Sequence, residues 1–483
     1  MYWIAGIFAA LLGALANGYG YHRDEMYFLA SGRRLDWGYA DQPPLTPLLA
    51  RAMLAIDADS LIVLRLPAIA AATVIVICAG LAAKELGGGR IAQVLASGSV
   101  ASAALVMVAG HTLGTTVIDL AVWSGVLVAV LRLLRPESEP RTWLLVGLLA
   151  GVGLQNKALM AVPLAVLAAA VAVLGPRKIF ATRYFALALA IATLIVLPYL
   201  CWQAAHGWPQ WEVSRAVAGG SSGTSDTPLT FVLLQFGLIG PLLVPLWLYG
   251  LWWLARRPRY RAFALTYGLL FVVYGITGGK AYYLGGMYPL LLAAGAVGIE
   301  RWLAASDRSG VDRRTRRVAL GSVVVVTAVG SALLFLPVLP VTAVPDSPVL
   351  AVNYDAGETI GWPDYVRQIA EVRSEVAPDA ELLTANYGEA AAIEHFGTQY
   401  GLPTPHSGHN AYWWWGPPTD GRPVITIGLS LERVQTLCAE PELVGRLDNG
   451  LGVDNDEQNQ PMFLCRTLRE PWSEHWPMMR HIG

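Results

Sequence analysis

The sequence predicts an α-helical polytopic membrane protein that carries a small α/β domain at its carboxy-terminal end. Three observations lead there. Over 483 residues, 55% are hydrophobic and only 14% charged, and the mean hydropathy is +0.47, well outside the soluble range. Apolar runs long enough to form helices across a ~30 Å hydrocarbon core, which takes ~20 residues, recur about eleven times. Near residue 340 the composition changes to Pro, Asn, Asp and short alternating stretches. The net charge of -1 implies no general attraction to nucleic acid, so the placement of charges matters more than their sum.

The apolar runs fall at about 3–19, 61–83, 91–110, 113–134, 142–156, 158–175, 184–204, 229–255, 262–278, 281–299 and 318–340. The runs at 142–156 and 158–175 are short and nearly abut at Gln155, Asn156 and Lys157, so they are two spans or one broken hairpin. The first run holds a small-residue triplet, Ala14-Leu15-Ala16, but lacks a basic segment before it, and reads as an uncleaved helix rather than a signal peptide.

Short loops rich in Lys and Arg stay on the cytoplasmic side. With the amino terminus inside, those loops hold Lys84 and Arg90; Arg132, Arg135 and Arg141; Arg177, Lys178 and Arg183; Arg256, Arg257, Arg259 and Arg261; and Arg313, Arg314, Arg316 and Arg317. The opposite loops hold isolated Lys157, Arg215 and Lys280, the first of them being an exception with Arg23, Arg33, Arg34 and Arg51. An odd number of spans then places the tail outside the cell membrane. Residues 1–340 form the expected membrane domain, with a first outer loop at 18–60 and a second, flexible outer loop at 205–228.

The tail, 341–483, contains alternating stretches at Glu381-Leu382-Leu383-Thr384 and Val424-Ile425-Thr426-Ile427 that read as strands. Of four cysteines, Cys78 and Cys201 fall in apolar runs, whereas Cys438 and Cys465 fall in the tail and are the pair suited to bridging.

The first outer loop is too long and aromatic for a plain connector. It reads Tyr21-His22-Arg23-Asp24-Glu25-Met26-Tyr27-Phe28, then Leu35-Asp36-Trp37-Gly38-Tyr39-Ala40-Asp41-Gln42-Pro43-Pro44-Leu45. A partly desolvated carboxylate has a raised pKa and makes a competent base toward a hydroxyl. On a helix, Asp24 and Glu25 point ~100° apart, so one acts as base and the other orients a partner. Alternatively the pair occupies the first turn of a juxtamembrane helix, where it complements the macrodipole.

An Asp-Glu pair opening this loop, followed by Asp-x-Pro-Pro-Leu, resembles the GT-C superfamily of membrane glycosyltransferases. The likeness is to the family 39 group of protein O-mannosyltransferases and lipid A aminoarabinose transferases. Further matching pieces are Arg65-Leu66-Pro67, Asp119, His206-Gly207-Trp208-Pro209, Lys280-Ala281-Tyr282-Tyr283, Asn386-Tyr387-Gly388-Glu389-Ala390, Ser407-Gly408-His409-Asn410 and Trp415-Gly416-Pro417-Pro418. The resemblance implies a GT-C fold and transfer of a hexose or pentose, with inversion, from a polyprenyl-phosphate carrier to a hydroxyl on a protein, lipid or glycan. It assigns Asp24 as the base. Gln42 stands where the aminoarabinose branch has a basic residue, so phosphate compensation must come from elsewhere.

Lys280, at an outer span end beside Tyr282 and Tyr283, is a candidate phosphate ligand; a snorkelling lysine beside belt aromatics is the alternative. Arg51, Lys157, His206 and Asp41 complete the candidate donor-binding set, although Lys157 equally suits a helix turn and His206 a structural hydrogen bond. Arg65 and Asp119 lie within spans and need partners, most simply each other. No Cys/His metal spacing appears; Asp24, Glu25 and Asp41 would be the ligands if Mg²⁺ or Mn²⁺ were used, but the resemblance implies metal-free chemistry without a cofactor. The stretch Gly219–Pro228 reads as a lid. The rival class is a transporter, flippase or non-catalytic binder of lipid-linked sugars, which would show Gly/Pro-broken helices near mid-membrane.

Overall fold

A computed structural model describes residues 1–219, 227–305 and 313–483. Most of the expected lid, 220–226, lies outside the described residues. The chain divides into two compact units. The first comprises Met1–Ala16, Gln42–Leu45 and Arg65–Leu336; the second comprises Asn17–Asp41, Thr46–Leu64 and Pro337–Gly483. Most of the first loop therefore folds with the tail rather than with the helices that flank it in sequence.

In the first unit every apolar run is helical. Among the described residues, five helices are long and apolar enough to cross a membrane: Leu61–Glu85, Thr115–Leu133, Arg183–Ala205, Ala281–Ala304 and Arg314–Phe335. Shorter apolar helices, Tyr2–Leu15, Thr142–Asn156, Ala158–Leu174 and Arg261–Ile276, match the remaining straight runs. Two runs expected as continuous spans are instead broken pairs. Arg90–Ser102 and Ala104–His111 meet at 61°, and Pro228–Ile239 and Pro241–Ala255 meet at 86°. At the second break Gly240 takes φ +98° and Pro241 follows it without an N–H, so the helical ladder cannot continue. At the first, Ala103 is extended, and the Ser102 hydroxyl donates to the Ser99 carbonyl at 3.0 Å.

Small residues let these helices approach closely. A Cβ on Gly250 would stand 1.9 Å from the Leu291 carbonyl, and one on Gly295 would stand 2.2 Å from the Leu246 carbonyl. Helices Val244–Ala255 and Tyr288–Ala305 therefore meet backbone to backbone. Several charged groups in the unit are matched locally. Glu85 takes both Arg132 and Arg135, and the Glu300 carboxylate accepts from the backbone N–H of Gly89, Ile91 and Ala92. Arg65 donates to the Ala16 carbonyl at 2.8 Å and meets His111 Nε2 at 3.0 Å, while Asp119 lies in the field of Lys157.

The second unit is built on a five-stranded mixed sheet. Its strands are β1 (Glu381–Thr384), β2 (His406–Ser407), β3 (Val424–Ile427), β4 (Pro441–Arg446) and β5 (Pro461–Cys465), in the order β2-β1-β3-β5-β4. β1 runs parallel to β2 and β3, and β5 pairs antiparallel with β3 and β4. β1 and β3 are the two stretches that alternate in the sequence, yet all four residues of each are buried. Helix Trp362–Val376 and helix Tyr387–Phe396 supply the rest of one core, into which Met26, Tyr27 and Ala30 of the first loop are built. Cys438 and Cys465 are joined by a disulfide with their Cα atoms 5.7 Å apart.

Candidate active site

Helix Arg23–Arg33 places the Asp-Glu pair in its first turn, and its amino end is closed by a capping box. Asp24 N–H donates to His22 Nδ1 at 3.2 Å, and His22 N–H donates to Glu25 Oε2 at 2.9 Å. The buried Glu25 thus closes the start of the helix. The Asp24 carboxylate accepts from the Tyr387 hydroxyl at 2.7 Å. That tyrosine begins helix Tyr387–Phe396, which has its own capping box between Asn386 and Glu389.

A second tyrosine–aspartate pair lies beside the first. Tyr27, one turn beyond Asp24, donates to Asp41 Oδ1 at 2.7 Å and accepts from the Ala411 N–H at 3.2 Å. The Tyr27 and Tyr387 rings pack with centroids 4.7 Å apart, and His409 packs on Tyr387 at 4.9 Å. Burial holds both phenols well above their ordinary range, with Asp41 and Asp24 adding to it, so both are neutral donors. Burial also pushes the Asp41 carboxyl up to about 6, offset partly by the Tyr27 hydrogen bond and increased by the nearby charge of Asp24. His409 is held down at about 3 by burial and by His481, and is neutral.

Arg23 anchors the same turn from the other side. Its Nη1 bonds Asp456 Oδ2 at 2.8 Å and lies 3.3 Å from Glu358 Oε2, whose side chain is fully buried. Glu457 and Glu389 lie in the same acidic group. Burial raises Glu358, Glu457 and Glu389, the last to about 8. At the far end of the helix, Arg34 grips both oxygens of Glu394 at 2.8 and 2.9 Å. Arg51 is exposed on helix Leu45–Leu54.

In the first unit the candidate cations gather at two helix breaks. Lys157 is extended between helix Thr142–Asn156 and the turn that follows, with its ammonium 5.0 and 4.8 Å from the ring centroids of Tyr282 and Tyr283. It lies within the electrostatic field of Asp119 and of Lys280. Lys280 is extended after Gly278, which takes φ +68°, and precedes a 3₁₀ turn, Ala281–Met287. Gln235 holds that turn by donating to the Ala281 carbonyl at 3.0 Å. His206 is exposed, stacks on Trp202 at 4.0 Å and meets the Trp202 carbonyl through Nδ1 at 2.8 Å. Among the described residues no trio of His, Cys, Asp or Glu is placed to hold a metal ion.

Tyr387, Tyr27, Arg23, Glu358, Glu457 and Glu394 were not among the site residues expected from sequence. The signal for Tyr387 was present in the Asn386–Ala390 stretch quoted above, but nothing local to it names a partner 363 positions away.

Residues 41–202 match the family described as dolichyl-phosphate-mannose-protein mannosyltransferase. No curated protein matches the sequence. Among solved structures, the chain is similar to ArnT from Cupriavidus metallidurans bound to undecaprenyl phosphate, with 14% identity, 95% of this chain and 97% of that chain covered, and a TM-score of 0.59. The apo form of the same protein aligns at the same identity and coverage with a TM-score of 0.61. The Archaeoglobus fulgidus oligosaccharyltransferase tethered to an acceptor peptide gives a TM-score of 0.50 at 12% identity, over 84% of this chain and 64% of that one. The chain therefore shares the fold of ArnT along nearly its whole length, and residues 41–202 carry the likeness to the mannosyltransferase family.

Proposed function

We propose that this protein is an inverting glycosyltransferase that moves a sugar from a polyprenyl-phosphate carrier to an acceptor hydroxyl at the outer face of the cell membrane. The observation that carries the reading is the Asp24 carboxylate at a helix amino terminus, oriented by a neutral tyrosine donor at 2.7 Å. A carboxylate held in that way has a fixed direction for proton abstraction. As the acceptor oxygen bonds to the anomeric carbon from the face opposite the phosphate, Asp24 takes its proton. The carbon–oxygen bond to the phosphate breaks, and the carrier leaves as polyprenyl phosphate. That leaving group bears a stable charge, so it needs compensation by cations rather than protonation, and no metal is invoked. Lys157 and Lys280, with Tyr282 and Tyr283 around them, are proposed to supply it.

Asp41 lies within the field of Asp24, whose charge helps to raise the Asp41 carboxyl. The orientation proposed has the amino terminus in the cytoplasm and the Arg-rich loops with it. A flippase or passive binder of lipid-linked sugar is favoured by one observation, the helix pairs bent by 61° and 86°.

The test is donor binding and sugar transfer by the purified protein in nanodiscs. Lys280→Ala and Lys157→Ala should each weaken polyprenyl-phosphate-sugar binding by ~10- to 150-fold, the range of one lost charge-assisted hydrogen bond. Unchanged donor affinity in both variants would overturn the phosphate assignment. Donor binding without transfer to any hydroxyl acceptor would favour the flippase reading.

A further inference from the structure

The first unit contains a cavity that the transfer reaction does not use. It has a volume of about 630 Å³ and lies between helices Tyr2–Leu15, Arg90–Ser102 and Arg313–Phe335. Its wall is almost wholly apolar, with Phe8, Leu95 and Val324 typical of it, and two arginines, Arg90 and Arg317, line it as well.

The two kinds of lining residue are segregated along the helices. Arg90 is the first residue of its helix, and Arg317 lies in the first turn or so of its own. Leu11, Ser102 and Ala328 line the opposite end. At 1.5 Å per residue, Arg317 to Ala328 spans ~16 Å and Arg90 to Ser102 spans ~18 Å. That is about half of a ~30 Å hydrocarbon core, one leaflet's depth. The deep end coincides with the 61° bend after Ser102, where the helix turns away from the line it had followed.

Neither arginine is placed where helix formation favours it. Helix Arg90–Ser102 and helix Arg313–Phe335 have no acidic residue in their first turns, and a cation at a helix amino terminus opposes the macrodipole. The Glu300 carboxylate offsets this at the first helix by taking the N–H groups of Gly89, Ile91 and Ala92. At the second helix, Arg314, Arg316 and Arg317 lie within the first two turns. An anion at that end would meet the positive charge of Arg90 and Arg317 together.

We infer that this groove binds an anionic phospholipid of the arginine-side leaflet, with one acyl chain along the apolar wall and the phosphodiester between Arg90 and Arg317. The inference is independent of the glycosyl-transfer reading, because none of its residues belongs to the carboxylate or lysine clusters. Gly321 offers a clean way to close the site. It lines the groove, and a Cβ there would meet nothing within 4 Å, so a side chain can leave the helix at that point and enter the groove.

The experiment is native mass spectrometry of the full chain in detergent, with phosphatidylglycerol and phosphatidylcholine of identical chains added in equal amounts. Wild type should retain one phosphatidylglycerol in preference to phosphatidylcholine by about tenfold. Arg90→Gln with Arg317→Gln should bring that preference close to unity while still retaining lipid. Gly321→Phe, checked for unchanged helicity and unfolding temperature, should lose the retained lipid. Equal retention of both lipids by wild type, or undiminished retention by a folded Gly321→Phe, would overturn the inference.

Discussion

Replacing Tyr387 by Phe removes one atom from the carboxylate cluster. The hydroxyl donates to Asp24 Oδ1 at 2.7 Å, while the ring packs between Tyr27 at 4.7 Å and His409 at 4.9 Å. Phe keeps that packing, so the fold should hold. A hydrogen bond to a charged acceptor is worth ~1.5–3 kcal/mol, which corresponds to ~10- to 150-fold in rate if the bond is needed to aim the base. Two effects oppose each other. Losing the donor makes Asp24 intrinsically more basic, which assists proton abstraction, but it also frees the carboxylate to turn. Misplacement by ~1 Å costs about 10²-fold, so the loss of orientation wins and turnover falls. The acid limb of the pH profile should move to higher pH, because a donor that favoured the charged carboxylate is gone. The assay is single-turnover sugar transfer in nanodiscs across pH 4 to 8, with donor binding measured separately. Unchanged turnover together with an unshifted profile would refute the role given to Tyr387.

Cys438→Ser should lower the stability of the tail unit by ~3–4 kcal/mol, as expected for opening a 27-residue loop, and reductant should reproduce the loss in wild type only. Asp41 titrates at about 6 in the fold against an ordinary 3.8, a differential of ~3 kcal/mol. Its folded value lies above its unfolded one, so the native state holds the extra proton between about pH 4 and 6, and stability is lost as pH rises through that window. Asp41→Asn should therefore gain in unfolding temperature relative to wild type between pH 4 and 7; parallel curves would contradict the burial argument.

The helices of the membrane unit were legible because hydropathy alone marks them, and every apolar run is helical. The bend at Ala103 was not, since nothing there breaks a helix; Gly240-Pro241 did carry a breaker signal, masked by the apolar residues on both sides. In the tail, β1 and β3 were visible as alternating stretches, although both faces are buried. β2 has only two residues, too short to mark, and β4 is largely exposed. Local chemistry pointed to the first turn of helix Arg23–Arg33, since an acidic pair before an apolar run suits both a cap and a base. The structure divides the two roles, Glu25 to the cap and Asp24 to the tyrosine. What remained illegible was long-range pairing. Tyr387 to Asp24 and Arg34 to Glu394 join residues separated by 363 and 360 positions, and no periodicity reports such a contact.

The central claim is that Asp24 is the general base, and sugar transfer by Asp24→Asn in lipid nanodiscs tests it most directly. Asn preserves the side chain's shape and can still accept from Tyr387, but it cannot take the acceptor's proton. Positioned base catalysis contributes about 10²- to 10⁴-fold, so turnover should fall by that factor while donor affinity stays close to wild type. Near-normal transfer by Asp24→Asn would contradict the account and move the role of base to Asp41.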